Sequence, residues 1–149
     1  MHNLFGCLLT GGFDLKRVMS MNDKTDFGTL VPNVMLDGVE RAVERPMSGV
    51  ALPLPSYINR VYEVQARDGE RFIAKFYRPG RWSREAILEE HVFEQDCVEE
   101  EIPVVAPMVL PSGETLAEVD GILFALFRKC RGRQFEIRSR TDWLRVGSL

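Results

Sequence analysis

The stretch from Arg60 to Tyr77 constrains the fold more tightly than any other part of this 149-residue chain. Residues Arg60–Arg67 alternate, with Tyr62, Val64 and Ala66 on one side and Glu63, Gln65 and Arg67 on the other. A period of two predicts an extended strand with one face turned to a core. Asp68-Gly69 follows, a dipeptide favoured in two-residue hairpin turns because both positions tolerate positive φ. Glu70–Tyr77 then returns as the second strand, with Phe72, Ala74 and Phe76 opposite Arg71, Ile73, Lys75 and Tyr77. A chain built around this hairpin folds as an antiparallel sheet.

The flanking sequence adds helices and further strands. Pro32-Asn33 offers a helix start, Met35, Val39, Ala42 and Val43 share a face, and Pro46 stops the helix. Gly49–Pro55 is a short apolar run broken by prolines and predicts a strand. After the hairpin, Ser83 is an N-cap and Glu85 sits in the first turn of a helix running to about Val98. Trp82 and Ile87 have the spacing of a hydrophobic staple. Val104–Leu110 and Thr115–Val119 predict strands around Pro111-Ser112-Gly113, and Asp120-Gly121 predicts a turn into the apolar run Ile122–Phe127. Thr141–Leu149 starts another helix through Trp143, Leu144 and Val146. The expected architecture is α+β: an antiparallel five- to six-stranded sheet with a packed helix. Residues 1–30, without sustained period, are expected to form a poorly ordered leader.

Bulk properties exclude several classes. A formal charge of −3 argues against a nucleic-acid binder. The three cysteines, Cys7, Cys97 and Cys130, are odd in number and match no metal spacing, which points to a reduced, cytoplasmic protein. No stretch approaches the ~18 apolar residues of a membrane helix. Residues 128–140 carry Arg128, Lys129, Arg131, Arg133, Arg138 and Arg140 against Glu136. With one interleaved aromatic, Phe135, this segment predicts a solvated linker rather than a nucleic-acid surface.

Three places could carry chemistry. Phe72-Ile73-Ala74-Lys75 is a strand ending in lysine, the form of the kinase β3 lysine that pairs nucleotide phosphates. By itself such a lysine is more often a solvated charge. On the following helix, at about 100° per residue, Ala86, Phe93 and Cys97 mark an apolar arc edged by Ile87 and Val98. Glu90 falls in the middle of that arc, Glu94 also lies within it, and Glu89 lies outside. A carboxylate on an apolar face needs a partner, and Lys75 in the preceding strand is the nearest candidate. The bland alternative is chance, since residues 85–101 hold eight acidic residues and no Lys or Arg. Third, Ser56, Tyr57, Asn59 and Arg60 lie between two strands, where a phosphate-covering loop would sit, although the segment has no glycine. An ordinary polar turn is an equal reading of its composition. Only His2 and His91 occur, and neither opens a catalytic loop of the H-R-D or H-G-D type.

The run Ser56–Tyr62 (SYINRVY) resembles the loop that replaces the glycine-rich loop in the bacterial stress response kinase A family. Lys75–Trp82 (KFYRPGRW), Ile87–Phe93 (ILEEHVF) and Gly132–Glu136 (GRQFE) are similar to that family as well. The similarity covers residues 31–149. Its members are Ser/Thr protein kinases with an aminoglycoside-phosphotransferase or choline-kinase-like fold. The resemblance implies a protein-kinase-like N-terminal lobe over residues 31–127, with a hinge and linker in 128–149. It makes Lys75 the phosphate-contacting lysine and Glu90 its helix partner. Ser56, Tyr57, Asn59 and Arg60 become the loop over the phosphates, and about Phe127 to Arg133 the hinge that meets adenine.

The resemblance also implies ATP and magnesium as cofactors and a protein substrate held by a second, helical lobe. In the family the catalytic aspartate and the magnesium ligands belong to that C-terminal lobe. None is expected among these residues, which reach only the start of its first helix. The chain is therefore expected to be a piece of a longer kinase, unable to transfer phosphate unaided. Two other readings stand beside this one: a non-catalytic nucleotide-binding or regulatory module, and part of a small-molecule kinase.

Overall fold

The structure, a computed structural model, describes residues 27–130 and 139–146. Residues 1–26 of the predicted leader, residues 131–133 of the predicted hinge and the Gly132–Glu136 motif lie outside the described residues. Helix α1 spans Pro32–Val43; the strands β1 Met47–Leu54, β2 Arg60–Ala66 and β3 Arg71–Phe76 follow. Helix α2 is Arg84–Glu99, then come β4 Ala117–Val119, β5 Ile122–Arg128 and helix α3 Arg140–Val146. The five strands form one antiparallel sheet in the order β1-β2-β3-β5-β4.

Each element follows from local chemistry. Pro32 occupies the first turn of α1, where its missing N–H is no loss. Glu44 closes that helix in the left-handed region at φ 53°. Ser83 caps α2 by accepting the Ala86 N–H at 3.2 Å, with Glu85 in the first turn. Ile87 is buried whereas Trp82 is 53% exposed, with the Arg81 guanidinium 5.5 Å from its ring centroid.

The hairpin differs from its sequence expectation in one residue, and that residue sets the register. Gly69 N–H donates to Ala66 O at 3.0 Å and Ala66 N–H to Glu70 O at 2.9 Å. Arg67, Asp68 and Gly69 make a three-residue loop in which Gly69 alone has positive φ, +92°. This is a type I turn with a glycine bulge, not the two-residue turn expected. Asp68 Oδ1 accepts the Glu70 N–H, and Arg45, just beyond α1, holds both Asp68 and Glu70. Asp120-Gly121, with φ 49° and 78°, is the true two-residue turn, joining paired Val119 and Ile122.

The three-residue loop pairs Tyr62 with Ala74, Val64 with Phe72 and Val61 with Lys75. A two-residue loop would shift every partner by one and mix the two faces. Instead Val64, Ala66, Phe72, Ala74, Phe76, Phe124 and Leu126 form one apolar face, covered by Met35, Val39 and Val43 of α1. The opposite face carries Lys75, Ala125 and Phe127 and is covered in part by Ile87 and Leu88 of α2. The sheet is thus enclosed by two helices, where the sequence suggested one. Gly38 permits the closest approach of α1, since a Cβ there would lie 2.8 Å from Val119 Cβ.

Val104–Leu110 is not a strand. Pro107 removes a ladder donor inside the segment, which Pro103 and Pro111 bound, leaving a single bridge between Pro107 and Phe127 and a 2.7 Å bond from Met108 N–H to Leu126 O. Among the described residues no helix is long and apolar enough to cross a membrane.

Candidate nucleotide site

Lys75 stands near the end of β3 on the face that α2 partly covers. Its Nζ donates to Glu90 Oε1 at 2.8 Å. The ammonium also lies 4.6 Å from the Tyr77 ring centroid and 5.9 Å from that of Phe127. Aromatic faces attract a cation at these distances, so the lysine is enclosed on several sides yet keeps 23% of its side-chain surface open. Glu90 is 46% open. A half-solvated pair of this kind binds weakly, about 0–1 kcal/mol, and the ammonium can exchange its carboxylate for a phosphate at little cost.

The inward stripe of α2 is Ile87, His91 and Cys97, whereas the arc expected from the sequence ran from Ala86, Phe93 and Cys97 through Glu90 to Ile87 and Val98. Phe93 is 67% exposed and Val98 49%. Counting Phe93 as core and His91 as polar rotated the expected face. Glu90 sits at the edge of the true stripe, which is why it reaches Lys75 while remaining partly wet. Glu94 lies deeper: its Oε2 is buried without a hydrogen-bond partner, and burial, then the neighbouring Glu90, raises its pKa.

Beneath the pair lies a buried polar group that sequence reasoning missed. Tyr77 Oη and His91 Nε2 are 2.9 Å apart, and His91 Nδ1 is 2.8 Å from Thr115 Oγ1. His91 is 1% exposed and Tyr77 3%. Burial lowers the His91 pKa, so the ring is neutral at neutral pH, and burial raises that of the Tyr77 phenol. The spacing Ile87–His91 was the available signal, since two residues four apart share a helix face.

The loop residues divide. Ser56 and Tyr57 are exposed, Tyr57 fully so at 99%. Asn59 Oδ1 accepts the Arg78 N–H at 3.3 Å, tying the loop to the segment after β3. Ser56, Tyr57, Asn59, Arg60 and Arg78 line one open cavity of about 300 Å³. Arg60, however, pairs with Phe76 in the register and stacks over Phe27, 5.6 Å from its centroid. That places its guanidinium on the α1 side of the sheet, away from Lys75. The structure therefore brings Lys75 and Glu90 together, and it gathers Ser56, Tyr57, Asn59 and Arg60 around a separate cavity that neither member of the pair lines.

In the middle of β2, Glu63 is buried and held by Arg71 at 2.8 Å and by Lys129. Lys129, then Arg71, keeps its carboxyl below the usual range against the opposing effect of burial. The start of the predicted hinge is thereby pinned to the sheet. Among the described residues no group of three or more His, Cys, Asp or Glu side chains could hold a metal ion. These residues fit a phosphate and offer no ligand set to magnesium.

An antiparallel sheet with a strand-end lysine met by a helix glutamate is the arrangement of a kinase-like N-terminal lobe. The phosphotransferase enzyme family model (APH) matches residues 50–145, and the chain belongs to that family. It is 45% identical over 115 residues to stress response kinase A of Escherichia coli (strain K12), covering 77% of this chain and 34% of that protein. It is 44% identical over 117 residues to serine/threonine protein kinase RdoA of Salmonella typhimurium, covering 78% of this chain and 35% of that one. The chain thus spans about a third of the length of the curated relatives it matches. Among solved structures it is similar to the amicoumacin kinase hAmiN, seen with AMP-PNP, Ca2+ and Ami. The TM-score is 0.53 at 18% identity, covering 88% of this chain and 34% of that one, a likeness of fold.

Proposed function

We propose that this chain supplies the ATP-binding part of a bacterial Ser/Thr protein kinase that uses magnesium. The observation that carries the reading is the 2.8 Å contact between Lys75 and Glu90 on an open face of the sheet. In a kinase the lysine contacts the α/β-phosphates and the glutamate aims it. Lys75 is the phosphate ligand, Glu90 orients it, and Ser56, Tyr57 and Asn59 belong to the loop that covers the phosphates. Arg60 contributes from the far side of the sheet by bracing the loop against Phe27. Residues outside the described ones would hold the magnesium, which would offset the charge of the phosphates.

The choice of a protein hydroxyl as acceptor rests on the 44–45% identity to kinases named for stress response and for serine/threonine specificity. The solved neighbour is named for a small molecule, amicoumacin, but at 18% identity it supports the fold and not the acceptor. Titration of the chain with ATP and magnesium, followed by NMR or a fluorescent ATP analogue, tests the first half. Lys75→Met is expected to weaken binding about tenfold, the worth of one charge-assisted hydrogen bond. Equal affinity in the variant refutes the assignment. Acceptor choice is read from radiolabelled phosphate transfer by the product of the whole reading frame, with phosphoserine or phosphothreonine expected. Label found only on small alcohols or amines overturns the protein-kinase reading.

A further inference from the structure

Two rungs join the end of β3 to α2, and they differ in kind. The outer rung is Lys75–Glu90, an ion pair with both partners partly open to water. The inner rung is Tyr77–His91, which is buried and is extended by the bond from His91 to Thr115. The rungs are neighbours along both elements, since Lys75 and Tyr77 are two apart on β3 and its continuation, and Glu90 and His91 are consecutive on α2. The Tyr77 ring is shared between them: its hydroxyl meets His91 and its ring lies under the Lys75 ammonium.

An exposed ion pair cannot hold a sixteen-residue helix in place. A buried histidine with both ring nitrogens partnered is another matter. Moving α2 outward would strip its hydrogen bonds in an apolar setting, among Tyr77, Ile87 and Leu116, where lost partners are not replaced by water. Motion of α2 about its axis is resisted for the same reason, because His91 is tied to the sheet on one side and to the segment before β4 on the other.

We propose that Tyr77, His91 and Thr115 form a buried clamp that fixes α2 at the position from which Glu90 reaches Lys75. Tyr77 and His91 are positioning residues for the lysine. The outer rung is left weak enough to yield the ammonium to a phosphate, while the inner rung keeps the glutamate in range. This deepens the proposed nucleotide reading, since the pair being positioned is the one assigned to the phosphates.

The test reads the Lys75 amine directly and needs no nucleotide, so its failure is separable from failure of the ATP assignment. Acylation of Lys75 by an amine-reactive ester at fixed pH is followed by peptide mass spectrometry, with Lys129, whose pairing with Glu63 none of the variants touches, as internal reference. Glu90→Gln, which frees the amine, is expected to raise the Lys75 rate about threefold, as much as an ion pair this exposed permits. His91→Phe keeps the volume of the ring and removes both hydrogen bonds; it is expected to approach the Glu90→Gln rate. His91→Gln, which restores a bond to Tyr77, should return toward the wild-type rate. The double variant Glu90→Gln/His91→Phe should react no faster than Glu90→Gln alone, because His91 acts through Glu90. Thr115→Val removes a single peripheral bond and serves in place of His91→Phe if that variant does not fold. A lowered melting temperature with an unchanged Lys75 rate would show the clamp to be structural only and overturn the proposal. Multiplicative rates in the double variant would overturn it as well.

Discussion

Replacing Gly38 by alanine sets two well-measured effects against each other. In a solvated helix the change stabilises by about 0.8–1.0 kcal/mol, because glycine loses more backbone entropy on folding. Gly38 is buried in α1, however, and the new Cβ would stand 2.8 Å from Val119 Cβ and 3.0 and 3.1 Å from its two methyls. Carbon atoms rest at about 3.5–4.0 Å, so α1 or β4 must withdraw by close to 1 Å. The offending atom is the Cβ of a β-branched residue, which no rotamer change moves. Withdrawal also loosens Met35, Val39 and Val43 against the sheet. Overpacking of this sort costs about 1–3 kcal/mol, and the net expectation is destabilisation by roughly 1–2 kcal/mol after the propensity gain. Urea unfolding of the 149-residue chain, read by far-UV circular dichroism, measures it as a fall in midpoint without change of slope. Val119→Gly removes that Cβ together with both methyls, so the double variant should be more stable than the sum of the singles predicts, by at least about 0.5 kcal/mol. A Gly38→Ala protein more stable than wild type by the full propensity gain would refute the packing argument.

Three further outcomes are expected. Glu90→Gln should change the free energy of unfolding by less than about 1 kcal/mol, because both partners are partly solvated; urea midpoints check this. Ser83→Ala removes the cap of α2 and should cost about 1 kcal/mol in the same assay. His91 supplies a pH dependence. Burial holds its folded pKa below the ordinary 6.5, so the unfolded chain binds the extra proton first as pH falls. The stability that neutral His91 contributes is present above pH 6.5 and is lost on acidification from 6.5 toward the folded pKa, with a slope of up to about 1.4 kcal/mol per pH unit. Tyr77, Thr115, Lys75, Glu90 and Glu94 surround the ring, and Glu94, its pKa raised, acts oppositely above pH 4.5. The difference between wild type and His91→Gln isolates the histidine; parallel curves between pH 5 and 7 would contradict the assignment.

The strands were legible because a period of two leaves little else to do with Arg60–Tyr77, and Ile122–Phe127 is too apolar to lie anywhere but inside. Lys75 and Glu90 were legible too, as a strand-end cation followed by a helix carboxylate. Even the hairpin register was encoded. Tyr62, Val64, Phe72 and Ala74 are all even-numbered, and apolar residues can face the same core only if the loop holds an odd number of residues. Asp68-Gly69 by itself argued for two. Its decision required Arg45, which arrives from α1 to hold Asp68 and Glu70.

The sequence alone determined the extended segments Arg60–Ala66, Arg71–Phe76 and Ile122–Phe127, where α1 and α2 begin, and which two charges are able to meet. Tertiary structure decided what periodicity cannot see. It placed a helix on each face of the sheet, because both faces of the central strands are apolar enough to need cover. It put Arg60 on the side away from Lys75, through pleat and register. It buried His91 and exposed Phe93, because a histidine whose two nitrogens are both partnered can enter a core. Those partners, Tyr77 and Thr115, are 14 and 24 residues away in the chain and become neighbours only when the sheet is formed.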